Sequence, residues 1–453
     1  MDTPKCNLNS PWPRRPFDPA RLPFFYGWAV VAFATIGIIS STPGQTFGTG
    51  VFRDALITVL GLTNKQITLA YMFGTVTSSF LLPRVGSLVD RFGTRVTIVV
   101  AALGLGASLC LFSYADMIPT LVSSTWAILA ATAFLYLLIR FFGQGCLTMI
   151  SRVAIAKWFN HRRGLATGMA SVVTTFAFNA SPAYLNLLVL GLGWQHSYLV
   201  LALVCGLGMA VVGLIFYRDN PEQCGLPMDG RVDPDHLSRA RSRISPIVHQ
   251  FTRREALKTT AFWTYAIPLA WQAMIMTIVA FLITSIGEEA GLSRNEAYAP
   301  FKWFGLIGAV TVAFTGWLSD RTRLKWLLLV MAANQVLTGV GLFLLASPWG
   351  RTILIVGYGI SGGLFGLLLT VSWPRYFGRS HLGAITSVVT SIVVFASAVG
   401  PYLYEMLCGL FGSYRLVSIL VVVLPLAFLV PAAIVRNPQT RLTRHPRDQQ
   451  SSI

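Results

Sequence analysis

The chain has 453 residues, of which 54% are hydrophobic and only 11% are charged, and its mean hydropathy is +0.63. A soluble globular protein of this length does not need so much apolar surface, so the composition predicts a membrane protein. The net charge of +18 would suggest a nucleic-acid partner for a soluble protein. In a membrane protein Lys and Arg mark the cytoplasmic loops instead, and we expect no nucleic-acid partner.

Twelve apolar stretches are long enough to cross about 30 Å of hydrocarbon as helices, and we number them spans 1 to 12. They cover residues 24–46, 66–88, 95–115, 127–157, 164–188, 197–217, 262–286, 297–318, 324–346, 351–376, 383–410 and 413–435. The predicted fold is an all-α membrane protein with two six-helix bundles, at 24–217 and 259–435. A polar linker at 218–258 joins the bundles, and polar tails cover 1–23 and 436–453.

The basic residues predict the topology. Most of the 35 Lys and Arg fall in cytoplasmic segments when both termini are placed in the cytoplasm, as the positive-inside bias requires. The N-terminal tail carries Arg14 and Arg15 but no apolar run that ends in a small-residue cleavage site, so we do not expect a cleaved secretory signal. These features predict a multi-pass protein of the plasma or inner membrane, embedded in the lipid bilayer.

Span 1 contains a break at Ser41-Thr42-Pro43-Gly44-Gln45. Proline removes a backbone donor and frees a carbonyl at membrane depth, which is tolerated where the chain lines a cavity. Gln45 is therefore a candidate hydrogen-bond partner for a substrate. The alternative is that the break is a packing kink.

Two short segments recur at a fixed offset, 61 to 291 and 86 to 316, which indicates a duplicated unit. The pairs are Gly61-Leu62-Thr63-x-x-Gln66 with Gly291-Leu292-Ser293-x-x-Glu296, and Gly86-x-x-x-Asp90-Arg91 with Gly316-x-x-x-Asp320-Arg321. The first pair has the pattern of a capping box, so it predicts the starts of spans 2 and 8. Parallel repeats of this kind build one large class of secondary transporters.

The loop after span 2 carries the most specific family signal. Its sequence is Gly86-Ser87-Leu88-Val89-Asp90-Arg91-Phe92-Gly93-Thr94-Arg95. It resembles the pattern G-x-x-x-D-R-x-G-x-R/K that joins helices 2 and 3 in the major facilitator superfamily. The resemblance implies the fold of that superfamily and a latch on the cytoplasmic gate, formed by Gly86, Asp90, Arg91, Gly93 and Arg95.

The second copy of this loop keeps Gly316, Asp320 and Arg321, to which the resemblance also assigns gating roles. Arg323 stands where the next glycine of the pattern would be, so the latch role of this copy is less secure. For both loops the alternative is that the charges only fix the topology.

Further motifs extend the resemblance over most of the chain. They are Phe25-Tyr26-Gly27-Trp28-Ala29, Arg140-x-x-x-Gln144-Gly145, Trp158-Phe159-x-x-Arg162-Arg163-Gly164, Pro374-x-Tyr376-Phe377-Gly378 and His381-Leu382-Gly383-Ala384. The opening of span 1 and the exit of span 10 are most similar to the oxalate/formate antiporter and monocarboxylate transporter branch. That branch has an arginine in helix 8, and its antiporters have a lysine in helix 11. Span 8 has the apolar Val312 in that region and span 11 has no Lys or Arg, so the substrate does not follow from the branch.

Three basic residues lie in the interior of the spans, at least five residues from either end: Arg140 and Arg152 in span 4, and Lys302 in span 8. Each costs at least about 2.5 kcal/mol at the bilayer centre unless it faces a cavity or a partner. At about 100° per residue, Gln144 and Thr148 lie between the two arginines on one polar stripe of span 4.

We predict that Arg152 binds an anion, because a guanidinium can donate two parallel hydrogen bonds to a carboxylate. The alternative is a structural partner of a helix end. Arg140, nearer the outer side, and Gln144 are further candidates, with a strut between helices as the alternative for Arg140. Lys302 is a candidate ligand that could instead extend to the membrane surface.

Trp271 in span 7 and Tyr358 in span 10 are polar-tipped residues that could complete the pocket, although packing in the core or at a helix interface explains them better. The 17 Asp and Glu residues can all be placed at span ends or in loops, so we expect no buried carboxylate to carry protons or bind cations. The six cysteines have no metal-binding spacing. No catalytic constellation appears, and we expect neither an enzyme nor a cofactor.

The sequence thus predicts a monomeric secondary transporter that works by alternating access and moves a small organic anion, such as a mono- or dicarboxylate, by exchange or symport. One alternative is a carrier or efflux pump for neutral or amphiphilic solutes. A non-transporting membrane receptor is the other, and the short polar segments give it little room for a soluble domain.

Overall fold

The computed structural model describes residues 15–230 and 247–442, apart from 294, 295 and 298. Within these residues all regular structure is helical. Much of the two predicted tails, and residues 231–246 of the predicted linker, lie outside the described part of the chain.

The first half contains spans 1 to 6. Its principal helices are Gly27–Ser40, Thr46–Val51, Arg53–Leu60, Asn64–Ser113, Thr125–Ile139, Thr148–Trp158, Arg163–Leu201 and Met209–Phe216, with π-helices at Arg140–Leu147 and Ala202–Gly208. In two of these helices the chain turns at a glycine with positive φ, so that Asn64–Ser113 holds spans 2 and 3, and Arg163–Leu201 holds span 5 and the start of span 6. The turns are at Gly93 (φ 82°) and Gly193 (φ 77°).

The second half contains spans 7 to 12 as six separate helices. They are Thr260–Glu289, Pro300–Ser319, Leu324–Phe343, Pro348–Phe377, Leu382–Phe411 and Tyr414–Ile434. In the described part of the chain, nine helical segments are long and apolar enough to cross a membrane, and Gly27–Ser40 is a shorter apolar helix.

Both repeated cap motifs form. Thr63 caps the helix that begins at Asn64, as predicted, whereas the described helix of span 8 begins at Pro300, seven residues after Ser293. The Thr63 hydroxyl accepts from the backbone N–H of Gln66 at 3.3 Å, and the Gln66 side chain accepts from the Thr63 N–H at 2.8 Å. Ser293 and Glu296 form the same pair of bonds, at 3.4 and 2.9 Å. The capping boxes are therefore confirmed as local structure.

The two halves meet along two equivalent pairs of helices, span 2 with span 11 and span 5 with span 8. Glycines allow both close approaches. A Cβ on Gly86 would lie 2.5 Å from the Cβ of Ser387 in span 11, and one on Gly316 would lie 3.0 Å from the Cα of Gly168 in span 5. Both contacts lie near the loops of Asp90 and Asp320, and we call this side of the protein the latch face.

The contact at Gly86 gives a direct test of this packing. Gly86→Ala is expected to disfavour the closed latch face by about 1–3 kcal/mol, because the added methyl group overlaps Ser387. Gly362→Ala is the matched control, since nothing lies within 4 Å of a Cβ there. Labelling of a cysteine at Thr390, between the halves, by a thiol reagent added at the latch face should rise only in Gly86→Ala. Equal labelling in both variants would contradict the contact.

Candidate functional site

Asp90 joins the two halves by capping a helix of the other half. Its two carboxylate oxygens accept from the backbone N–H groups of Gly383, at 2.8 Å, and Ala384, at 2.7 Å. These groups are at the start of span 11, where helix N–H groups lack partners within the helix and favour a negative charge. Burial raises the pKa of Asp90, and these backbone N–H groups offset part of that effect.

Asp320 makes the equivalent contact in the opposite direction. Its oxygens accept from the N–H groups of Gly164, at 2.9 Å, and Leu165, at 3.0 Å, at the start of span 5. It also forms a buried ion pair with Arg375 at the end of span 10, with 2.6 Å between Nη2 and Oδ1. Although Arg323 interrupts the sequence pattern, Asp320 has two backbone bonds equivalent to those of Asp90 and an additional charged partner.

The other four predicted gating residues, Arg91, Gly93, Arg95 and Arg321, have roles within their own half of the protein. Arg91 stacks on its neighbour Phe92, and Arg321 stacks on Trp317 in its own helix, with ring distances of 5.2 and 4.0 Å. Gly93 provides the positive-φ turn. The Arg95 guanidinium donates to the Leu214 carbonyl, so it fixes span 3 against span 6 within the first half.

Arg152 lies in a small cavity between the halves. The cavity is lined by Met149, Arg152, Val153 and Ala156 of span 4, Leu369 and Thr370 of span 10, and Thr386 and Thr390 of span 11. The space that the centre of a water molecule can occupy in this cavity is about 10 Å³, which is room for about one water. Among the described residues, no hydrogen-bond or ion-pair partner reaches the Arg152 guanidinium. Span 4 ends six residues later at Trp158, so Arg152 is about 9 Å from the latch end of the helix.

Arg140 occupies a different environment, inside the first half. It is 1% exposed, and its Nη1 donates to the Gly44 carbonyl at 2.9 Å while its Nε donates to the Thr75 hydroxyl at 3.2 Å. Its guanidinium also covers the ring of Tyr71 at 5.0 Å. Because span 4 runs from Thr125 to Trp158, Arg140 is near the middle of the span rather than its outer side. These contacts fit the strut between helices.

Gln45 and Gln144 lie where the break in span 1 packs on the π-helix of span 4. The Gln45 amide donates to Ser41 at 2.9 Å and to Thr148 at 3.2 Å. Gln144 is next to Gly44, and its Oε1 is buried without a partner among the described residues. An orphaned buried oxygen next to a broken helix is a reason to keep Gln144 as a candidate ligand.

The candidate ligands in the second half, Tyr358, Trp271 and Lys302, are not among the lining residues of the Arg152 cavity. Tyr358 packs its ring on Phe304 of span 8, 4.1 Å between centroids. Trp271 packs near Phe428 of span 12, and its indole nitrogen is buried without a partner among the described residues. Lys302 is exposed, with Nζ 5.5 Å from the Trp303 ring, as expected of a lysine that extends along the helix surface.

The family model described as Major Facilitator Superfamily matches residues 20–401, most of the chain. The chain belongs to the major facilitator superfamily. The twelve-helix, two-bundle prediction is thereby confirmed, and the chain is a multi-pass membrane protein and secondary transporter of this superfamily, not an enzyme.

Individual superfamily members show how far the likeness extends. The probable nitrate/nitrite transporter NarK2 of Mycobacterium tuberculosis is 26% identical over 349 residues, which cover 72% of this chain and 74% of that protein. Among solved structures, the proton:xylose symporter XylE is similar with a TM-score of 0.62 at 14% identity, covering 89% of this chain and 96% of that one. The human organic anion transporter MFSD10 has a TM-score of 0.58 at 15% identity, covering 90% and 100%. At these identities the solved structures show the fold alone.

In this superfamily member, the contacts at the latch face include residues that the sequence analysis did not assign. Arg375, at the end of span 10, is the charged partner of Asp320. Arg379 follows it, pairs with Glu222 at the start of the linker at 2.8 Å, and donates to the Lys157 carbonyl of span 4. The sequence carried a signal only for the helix starts that bind the carboxylates, because the motifs with Gly164 and Gly383 each place a glycine in the first turn of such a helix.

Proposed function

We propose that the protein moves a small organic anion, such as a mono- or dicarboxylate, across the membrane by alternating access. The observation that carries the proposal is the Arg152 guanidinium, which faces a cavity between the two halves and has no partner in the part of the chain that the structure describes. A cation in such a place costs several kcal/mol unless something compensates for it. A carboxylate would do so through two parallel charge-assisted hydrogen bonds.

The cavity chemistry favours anions over cations. No carboxylate is among its described lining residues, whereas three threonine hydroxyls accompany Arg152. The cavity is too small for a carboxylate in this arrangement, so binding would require the halves to separate. We propose that Gln144 and Gln45 contribute hydrogen bonds when they do, and that Arg140 supports the wall behind them.

The relatives support an anion without naming one for this chain. NarK2 is named for nitrate and nitrite, which are small planar oxyanions like formate. Similarity in the opening of span 1 and the exit of span 10 favours the oxalate/formate and monocarboxylate branch. Both similarities favour a planar oxyanion, because two oxygens of such an anion match the parallel N–H donors of an arginine guanidinium. Exchange, or uptake of the charged form, is preferred over proton symport through a buried carboxylate, since none lines the described cavity.

We further propose that the latch face is cytoplasmic, with the linker and both termini on that side of a plasma or inner membrane. The predicted bundle boundaries, 24–217 and 259–435, belong to this proposal. The support is the positive-inside bias, because the basic loops after spans 2, 4, 8 and 10 all end at the latch face. The structure then corresponds to a state closed to the cytoplasm.

A thermal-stability screen of the purified protein tests the proposed substrate class. Formate, oxalate, other mono- and dicarboxylates, nitrate and nitrite would be compared with chloride, a neutral sugar and a cationic amphiphile at matched ionic strength. A ligand at about 100 times its Kd adds about 2.7 kcal/mol of apparent stability. Stabilisation confined to oxyanions is the expected result, whereas stabilisation only by neutral or amphiphilic solutes would overturn the proposal.

A further inference from the structure

A separate cavity, of about 480 Å³, lies at the latch face and outside the contact between the halves. It separates the start of span 7 from the end of span 12. Its lining residues are Phe251, Lys258, Thr259, Thr260, Ala261, Thr264, Pro431, Ile434, Val435, Arg436 and Pro438. We call it the span 7–12 cleft. Its volume is in the range of small-molecule sites, about 300–1,000 Å³.

The walls of the span 7–12 cleft are fixed by one buried side chain, Gln439. Its Oε1 accepts from the N–H groups of Val248, at 3.1 Å, and His249, at 3.0 Å. Its Nε2 donates to the carbonyls of His249, at 2.8 Å, and Tyr376, at 3.0 Å. The segment after span 12 is thus bound to the segment before span 7, and the cleft between them is already formed without a ligand.

The polar end of the cleft is basic. Lys258 and Arg436 are its charged lining residues, both exposed, and neither side chain has a hydrogen-bond or ion-pair partner among the described residues. The nearby carboxylate of Glu255 does not line the cleft and accepts from the Thr252 N–H, at 2.8 Å, and from His249, at 3.3 Å. Two free cations with no competing acid provide a site for a phosphate group.

The other end of the cleft is apolar and continues onto the membrane-facing surface. Ile434 is 71% exposed and Val430, one turn earlier on span 12, is 65% exposed. On span 7, Trp263 is exposed and donates its indole N–H to the Leu257 carbonyl at 2.9 Å, as tryptophans do at a membrane interface. The cleft therefore joins a cationic end to an exposed apolar surface.

We propose that the span 7–12 cleft binds one anionic phospholipid, with its phosphate between Lys258 and Arg436 and its upper acyl chains against Pro431 and Ile434. Basic pockets between membrane helices at the headgroup level favour such lipids. Free phosphate would engage only the two cations and leave the apolar wall empty. A bound lipid would hold the segment before span 7 against span 12.

Thermal stability of the full chain in detergent tests this proposal, with phosphatidylglycerol, phosphatidylcholine and inorganic phosphate titrated separately. The test variant is Lys258→Gln/Arg436→Gln. The control, Arg84→Gln/Arg162→Gln, removes the same charge from exposed sites at the latch face of the first half. Phosphatidylglycerol is expected to stabilise wild type and control at equal concentrations, while the test variant needs at least about tenfold more, or about 1.4 kcal/mol.

Native mass spectrometry provides a second readout, in which one phosphatidylglycerol should remain bound to wild type and control and be lost from the test variant. Each of three results would overturn the proposal: an equal response to phosphatidylcholine, an equal response of test and control variants, or a full response to inorganic phosphate alone. Unfolding temperatures measured without lipid show whether the substitutions themselves destabilise the test variant. If they do, the number of lipids bound to the folded variant is measured at a lower temperature, and that number decides the test.

Discussion

Arg152→Gln is expected to weaken substrate affinity by roughly thirtyfold or more. The substitution removes the guanidinium charge and its two parallel hydrogen bonds to the substrate, a loss of about 2 kcal/mol or more in binding free energy. The fold should survive, since the Arg152 guanidinium has no partner to lose among the described residues. Removal of a partly buried charge that has no partner among the described residues should even raise the thermal stability of the ligand-free protein. Concentration-dependent uptake into proteoliposomes measures the affinity, and the unfolding temperature of the same preparations measures the stability.

Arg152→Lys and Arg84→Gln complete this experiment. Lysine keeps the charge but not the planar fork, so its affinity should fall between wild type and Arg152→Gln. Arg84 is exposed at the latch end of span 2, and its loss should leave affinity unchanged. If Arg152→Gln folds and transports with wild-type affinity, Arg152 is not the anion ligand.

Asp320→Asn is expected to open the latch face by the largest amount of any single latch substitution. The change leaves Arg375 without its charged partner at 2.6 Å and weakens the cap on span 5. Breaking a buried pair by removing one partner typically costs about 3–5 kcal/mol. Labelling of a cysteine at Thr390 from the latch face should therefore rise by more than tenfold, and transport should fall because the closed state is depopulated.

Asp90→Asn should have the same direction and a smaller effect, because Asp90 caps span 11 without an ion pair within the described residues. Glu288→Gln is the charge-matched control, since Glu288 is exposed at the opposite end of span 7. A Thr390 cysteine that labels equally in Asp320→Asn and Glu288→Gln would show that the Asp320 contacts do not hold the halves together.

Local features of the fold could be predicted from sequence because their causes lie within a few residues. The capping boxes need only a hydroxyl and an acid or amide three positions apart. The break in span 1 follows from Pro43, and the structure has a short 3-10 helix there, Thr42–Gly44. The carbonyl that loses its helical donor at Pro43 is that of Ile39, which accepts from the Thr42 hydroxyl. The Gly44 carbonyl, just before the helix that begins at Thr46, accepts from Arg140 instead.

The arrangement of span 4 could not be predicted in the same way. A helical wheel at 100° per residue assumes an α-helix, but Arg140–Leu147 is a π-helix, which changes the rotation between Arg140 and Arg152. The partners of Asp90 and Asp320 could not be predicted either. Asp90 and Gly383, for example, are 293 residues apart in the chain, and no local sequence pattern indicates that they are in contact. Arg375, near the end of span 10, was not distinguishable from a topology-setting charge until its pairing with Asp320 was seen.

Uptake by wild-type protein in proteoliposomes, measured over a panel of labelled small oxyanions and neutral solutes, tests the central claim most directly. The account predicts saturable uptake of at least one planar oxyanion, inhibited by related oxyanions and absent in Arg152→Gln liposomes of equal protein content. Uptake confined to neutral or amphiphilic solutes, or oxyanion uptake that survives in Arg152→Gln unchanged, would contradict it.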